Sequence, residues 1–217
     1  GPVAHWKLDQ SGGTSVTDST VNAHTGTLVS SPAWQAAKVG NGLLFDGVDD
    51  AFTVADHNDL DIKSTAMSGM AWYKSSPGAD GIDVILFKGG DAANSEGYSW
   101  VVNPYAGGGD GKQGFFLSTG SQMKFVNAMG NTSVVDGQWH HLAFVYKPAD
   151  GLRLYIDGQL DKYYANSFTD DINNTLQLKV GAHATTGYEM KGSLDDVRIY
   201  KRELTQNEIN SVYQEGL

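Results

Sequence analysis

The stretch Gly137–Leu160, GQWHHLAFVYKPADGLRLYIDGQL, decides the fold. Between Trp139 and Tyr146 apolar residues fill both alternation sets: Leu142, Phe144 and Tyr146 on one, Trp139, Ala143 and Val145 on the other. A strand apolar on both faces is central in a sheet covered from both sides. The segment after it alternates, with Leu152, Leu154 and Ile156 against Arg153, Tyr155 and Asp157, which predicts a half-buried neighbour. Lys147-Pro148-Ala149-Asp150-Gly151 supplies the turn between them, Pro148 pre-setting one dihedral and Gly151 accepting positive φ. Asp157-Gly158 offers a second turn. His140 and His141 invite a metal reading, but successive strand residues face opposite ways, so the pair reads as structural.

Working outward, VAHWKL (Val3–Leu8) alternates as a strand, and the polar run Asp9–Gly26 is too rich in Ser, Thr, Gly and Asp for a core element. GNGLLFDGVDDAFTV (Gly40–Val54) reads as a hairpin around Asp46-Gly47. Further strands are predicted at Thr27–Val29, Ser68–Lys74, Val84–Lys88, Gly97–Asn103, Gln113–Ser118, Met123–Ala128, Leu176–Ala182 and Gly192–Tyr200. The tail is helical: Thr205 and Glu208 form a capping box, Leu204 and Ile209 a hydrophobic staple, and Ile209, Val212 and Tyr213 share a face.

The chain has 217 residues, 27 of them Gly, and no Cys. This suits one large all-β domain that uses no disulfide, read here as residues 3–217, with Gly1-Pro2 as the scar of tag removal from a piece of a longer protein. No apolar run is long enough to span a bilayer, and no signal peptide stands at the N-terminus. A formal net charge of −10 repels nucleic-acid phosphates and anionic membranes, so neither partner is expected. A monomer is expected.

Four segments, in order, carry a family resemblance: HWKLDQSGGTSVTDSTVNAHTGTL (residues 5–28), GNGLLFDGVDDAFTV (40–54), QWHHLAFVY with LRLYIDG (138–158), and KGSLDDVRIYKRELTQNEI (191–209). Together they resemble the laminin-G-like jelly rolls of the concanavalin A-like lectin/glucanase superfamily. The resemblance implies an all-β, two-sheet antiparallel β-sandwich with one concave sheet and a short C-terminal helix. Such domains are often carbohydrate-binding modules or lectins attached to bacterial polysaccharide-degrading enzymes and adhesins. The absence of Cys leans the same way, toward a bacterial extracellular module.

The resemblance also implies one structural Ca2+ tying the N-terminal loop to the last strand. Calcium takes six to eight oxygens. The expected ligands are Asp18 and Asp195 through their carboxylates, with Asn22 and Thr25 through carbonyl or side chain. The competing reading is an Asx turn at Asp18 and an ordinary strand residue at Asp195. Asp46, Asp49, Asp50, Asp56, Asp59 and Asp61 are a second acidic group that reads mainly as turns and solvated charge.

Sugar binding needs aromatic faces for C–H surfaces and polar groups for hydroxyls. The segment Lys88–Tyr105 offers both: Tyr98 and Trp100 on one alternation face, then Asn103, then Tyr105 opening a Gly-rich loop, with Lys88 ending the preceding strand. His183 and Tyr188 are placed at the rim of the concave face by the resemblance. Trp6, Trp72 and Trp139 read as core; Trp100 reads as core or platform.

Glycoside hydrolysis needs two carboxylates flanking one bond. The Glu-x-Asp-x-x-Glu signature of related glucanases is missing, and Glu96, Glu189, Glu203, Glu208 and Glu215 lie outside clear central strands. Lyase chemistry would need a Tyr or His base beside a cation, yet Arg153, Arg198 and Arg202 all fall late in the chain. The expectation is a non-catalytic carbohydrate-binding module with a polysaccharide or glycan partner, cut from a larger secreted protein. The alternatives are a structural or protein-binding adhesion domain, and a glycan-active enzyme without the usual motif.

Overall fold

The computed structural model describes residues 1–63, 65–79, 81–90, 96–103, 110–120, 122–124, 128–166, 169–184 and 187–217. Two antiparallel sheets make up the molecule, with strands numbered in chain order. The eight-stranded sheet runs β15 (Gln159–Ala165), β14 (Gly151–Ile156), β13 (His140–Lys147), β7 (Met67–Ser75), β17 (Lys191–Tyr200), β5 (Asn41–Asp46) and β4 (Ala33–Ala36), with β1 (Ala4–Trp6) also on β17. The nine-stranded sheet runs β11 (Met123–Lys124), β10 (Lys112–Ser118), β9 (Gly97–Val102), β8 (Asp83–Lys88), β16 (Leu178–Val180), β6 (Ala51–Val54), β3 (Gly26–Val29) and β2 (Ser15–Val16), with β12 (Met129–Ser133) on β10. A 3-10 turn spans Asn58–Leu60, and helix α1 spans Gln206–Glu215. No helix among the described residues is long and apolar enough to cross a membrane.

The two-sided character of β13 has a direct cause. Leu142, Phe144 and Tyr146 enter the main core between the sheets, while Ala143 and Val145 pack with Met70, Tyr155, Leu204 and Ile209 beneath α1. The capping box starts that helix: Glu208 N–H donates to Thr205 Oγ1, and Thr205 N–H donates to the Glu208 carboxylate. Tyr155 is therefore buried rather than half-exposed, because α1 covers its face of the sheet. Asp157 and Gly158 both adopt positive φ, at 50° and 77°, which closes the β14–β15 hairpin with the twist such turns require.

The two histidines part as strand parity requires. His140 Nδ1 lies 2.9 Å from the Asp157 carboxylate, whereas buried His141 packs edge-on to Trp72 at 5.2 Å. Burial pushes the His141 imidazole down to about 4, so it sits under α1 uncharged.

Candidate functional site

Residues paired across a β-ladder share a face. The pairings Ser15↔Thr27, Thr27↔Thr53, Thr53↔Lys179, Lys179↔Phe87, Phe87↔Ser99 and Ser99↔Phe116 therefore align seven side chains in one row. At the usual strand spacing this row is roughly 29 Å long. Its neighbour, Phe52–Val180–Leu86–Trp100–Phe115, has the opposite parity and lies wholly in the core. The seven-residue row consequently lies on the outer face of the nine-stranded sheet. Ser15 and Thr27 are exposed, and Thr53, Lys179 and Phe116 are partly so.

The aromatic end of the row is completed by His183 and Tyr188, which lie just inside the bridge between Ala182 and Glu189. The His183 ring lies on Phe87 with centroids 3.8 Å apart, and Tyr188 meets His183 edge-on at 5.6 Å. Ile82, Val84, Val101, Phe116 and Ala184 complete this small apolar cluster, separate from the main core. Lys179 Nζ donates to the His183 carbonyl at 3.2 Å, placing a cation beside the rings. Burial, reinforced by that charge, holds the His183 imidazole below its ordinary value, so near neutrality it is an uncharged donor–acceptor. The surface thus joins an aromatic wall to a strip of hydroxyls and one ammonium.

His183 and Tyr188 sit on this surface. Lys88, Tyr98, Trp100 and Asn103 do not. Tyr98 and Trp100 are buried with Phe115 and Phe144 around them, and their polar atoms are spent internally: Tyr98 Oη on the Leu60 carbonyl at 2.7 Å, Trp100 Nε1 on Gln113 Oε1 at 3.2 Å. Buried rings offer no face to a sugar. Lys88 pairs with Tyr98 and shares its inward parity. Its fully buried ammonium lies 2.8 Å from both Asp56 and Asp61 and donates to Asn174. Buried Asn103, at φ 58°, donates to the Gly81 carbonyl and accepts from Gly111 N–H, which ties the end of β9 to the residue before β10. Tyr105 lies outside the described residues. Phe87, Phe116 and Lys179 were not singled out in the sequence; the only signal for them was the opposite parity of the strands that hold Tyr98 and Trp100.

Asp18 Oδ1 accepts from His5 N–H and Thr20 N–H, both at 2.9 Å, and Oδ2 accepts from Thr20 Oγ1 at 2.9 Å and His24 N–H at 2.8 Å. Although burial opposes it, these bonds hold the carboxyl below the usual range and occupy its lone pairs. Asn22 donates its amide to the Val3 carbonyl, and Thr25 is exposed. Asp18 bridges one edge of Trp6, while the other edge pairs with Val197, so β1 stands between Asp18 and β17. Two strand spacings, about 10 Å, then separate the backbones that were to share one ion. The set does not fit a common calcium.

Asp195 is fully buried; its Oδ2 accepts from Val39 N–H at 2.6 Å, and its Oδ1 has no hydrogen-bond partner. Burial, with the Asp196 and Asp9 charges adding, pushes it up to about 7. The first and last strands are instead tied by Asp196, which turns out of register at φ 53° to meet His5 Nε2 at 2.5 Å and the Arg198 guanidinium at 2.8 Å. The second acidic group divides. Asp46 and Asp50 accept nearby backbone N–H groups as turn residues, Asp56 and Asp61 neutralise Lys88, and Asp59 faces His24 and His57.

Residues 46–210 match the laminin-G-type model described as the concanavalin A-like lectin/glucanases superfamily. The chain belongs to the concanavalin A-like lectin/glucanase superfamily. Among solved structures, this superfamily member is similar to domain 4 of AbnA, a GH43 extracellular arabinanase from Geobacillus stearothermophilus, solved with arabinotriose. The match has 21% identity and a TM-score of 0.72 over 98% of each chain. It is also similar to the binding domain of Paraclostridial Mosquitocidal Protein 1, at 13% identity and TM-score 0.76, over 99% of this chain and 52% of that one. The botulinum neurotoxin serotype D ligand-binding domain, solved with N-acetylneuraminic acid, matches at 15% identity and TM-score 0.70, over 99% and 50%. The chain thus spans about half of each toxin domain. No curated protein matches it.

Proposed function

We propose that this chain is a non-catalytic glycan-binding domain of a larger extracellular protein, and that it binds sugar on the outer face of the nine-stranded sheet. The observation that carries the reading is the register row. It sets the hydroxyls of Ser15, Thr27 and Thr53 and the Lys179 ammonium in line with the partly exposed rings of Phe116, His183 and Tyr188, with buried Phe87 packed behind His183. Aromatic faces take sugar C–H surfaces, and the polar side chains take the hydroxyls that fix orientation. No carboxylate stands in the row, whereas glycoside hydrolysis requires a pair. The similar arabinanase domain, matched end to end and solved with a sugar, supports the same reading.

A glycan array that includes linear arabino-oligosaccharides and sialylated glycans tests it, alongside product analysis after long incubation with the same glycans. Retention of one glycan class without cleavage is expected, at an affinity in the micromolar-to-millimolar range of a single small module. No retention of any glycan, or release of shortened products, would overturn it.

A further inference from the structure

Strands β3 and β6 run antiparallel with Gly26 opposite Val54. This register brings the residues just before β3 against those just after β6, and so joins positions far apart in the chain. His24, His57 and Asp59 meet there, each offering a ligand atom within 4.8 Å of the others. Asp59 Oδ2 lies 3.3 Å from His24 Nε2 and 3.2 Å from His57 Nδ1. The two imidazoles are tilted toward one another with centroids 4.7 Å apart.

These spacings have a specific meaning for a metal. Zinc bonds to imidazole nitrogen and carboxylate oxygen are about 2.0–2.1 Å long, so the edge of a tetrahedral ligand set is about 3.3 Å. The two separations from Asp59 Oδ2 match that edge. The donor set is two imidazoles with one carboxylate, which suits zinc-class transition metals; calcium takes oxygen ligands.

The site is also held in place from behind. His24 is 8% exposed, its N–H donates to Asp18 Oδ2 at 2.8 Å, and its carbonyl accepts from Trp6 Nε1 at 2.7 Å. The four-way acceptance by Asp18 thereby positions the buried ligand. His57 precedes the 3-10 turn as its N-cap and receives the Asp59 N–H on Nδ1 at 3.2 Å, a long bond that ligation would replace. His57 and Asp59 are open to solvent, at 53% and 34% of the side chain, which leaves an entry path and room for a water as fourth ligand.

We infer that His24, His57 and Asp59 form a binding site for a zinc-class divalent metal that staples the N-terminal loop to the turn after β6. The test is isothermal titration of the 217-residue chain with zinc chloride at pH 7.5, repeated on H57A and D59A, whose side chains are accessible enough to remove without opening the core. One zinc per chain with micromolar affinity is expected, weakened by about tenfold or more in each variant, with no competition from equimolar calcium. X-ray absorption of the loaded protein should show nitrogen and oxygen neighbours near 2.0–2.1 Å. No zinc binding up to millimolar concentration would overturn the assignment. Binding that persists unchanged in both H57A and D59A would also overturn it, because the metal would then sit elsewhere.

Discussion

Replacing Lys88 by Met separates a structural ammonium from a ligand-binding one. Lys88 is fully buried, and its Nζ lies 2.8 Å from the carboxylates of Asp56 and Asp61 while donating to Asn174 O at 2.8 Å. Asp56 is 34% exposed and can turn to water when its partner is lost. Asp61 is 2% exposed and cannot, so K88M strands a carboxylate in the core. Breaking a buried pair from one side costs about 3–5 kcal/mol. At about 2–4 °C per kcal/mol for a domain of this size, Tm should fall by roughly 6–20 °C. The assay is urea unfolding read by tryptophan fluorescence, in which the midpoint should drop while the m-value stays unchanged. K88M/D61N should recover part of the loss, because the two effects share one pair and are not additive. A K88M variant destabilised by less than about 1 kcal/mol would refute the reasoning, since a loss that small is what an exposed pair gives.

Two further expectations follow from the carboxylates that were candidates for calcium. Asp195 is held near 7 in the fold against an ordinary value of 3.8, so its contribution to stability is full below about pH 4 and is lost as pH rises to about 7. D195N should therefore gain on the parent protein across that window, by on the order of a few kcal/mol at most, as measured by urea unfolding at several pH values; a gap that does not change with pH would contradict this. D18N replaces one acceptor oxygen of a carboxylate that serves four donors, and should cost about 2–3 kcal/mol while speeding amide exchange at Thr20 and His24; unchanged exchange there would count against the Asp18 network.

The frame was legible because its signals are local. The two-sided strand at His140–Lys147, the Asp157-Gly158 turn and the Thr205–Glu208 capping box each sit within a few residues and require no knowledge of partners. Strands β4 and β15 left weaker traces. AWQA is only four residues, and QLDKYYA mixes charge with apolar residues, as edge strands do to discourage further pairing.

The candidate surface was less legible. In GYSWVV both alternation sets contain apolar residues, so the sequence offered two faces and the aromatic one looked like the platform. Burial chose otherwise: Tyr98 and Trp100 fill the main core, and the smaller Ser99 and Val101 face outward. Lys88 followed Tyr98 inward by register alone. The row from Ser15 to Phe116 draws one residue from each of seven strands, and no local pattern marks such a set before the pairing is known. The meeting of His24 with His57 and Asp59 is hidden for the same reason. Strand β1 lies between Asp18 and the strand that carries Asp195, and only the pairing reveals it.

The most direct test of the central claim is calorimetric titration of the parent chain and the F116A/Y188A double variant with whichever oligosaccharide an array selects. Both side chains lie in the small outer cluster rather than the main core, so the double variant should keep its cooperative unfolding transition. Micromolar-to-millimolar binding by the parent and a loss of about tenfold or more in the double variant are expected. Equal affinity in a folded F116A/Y188A protein would contradict that claim.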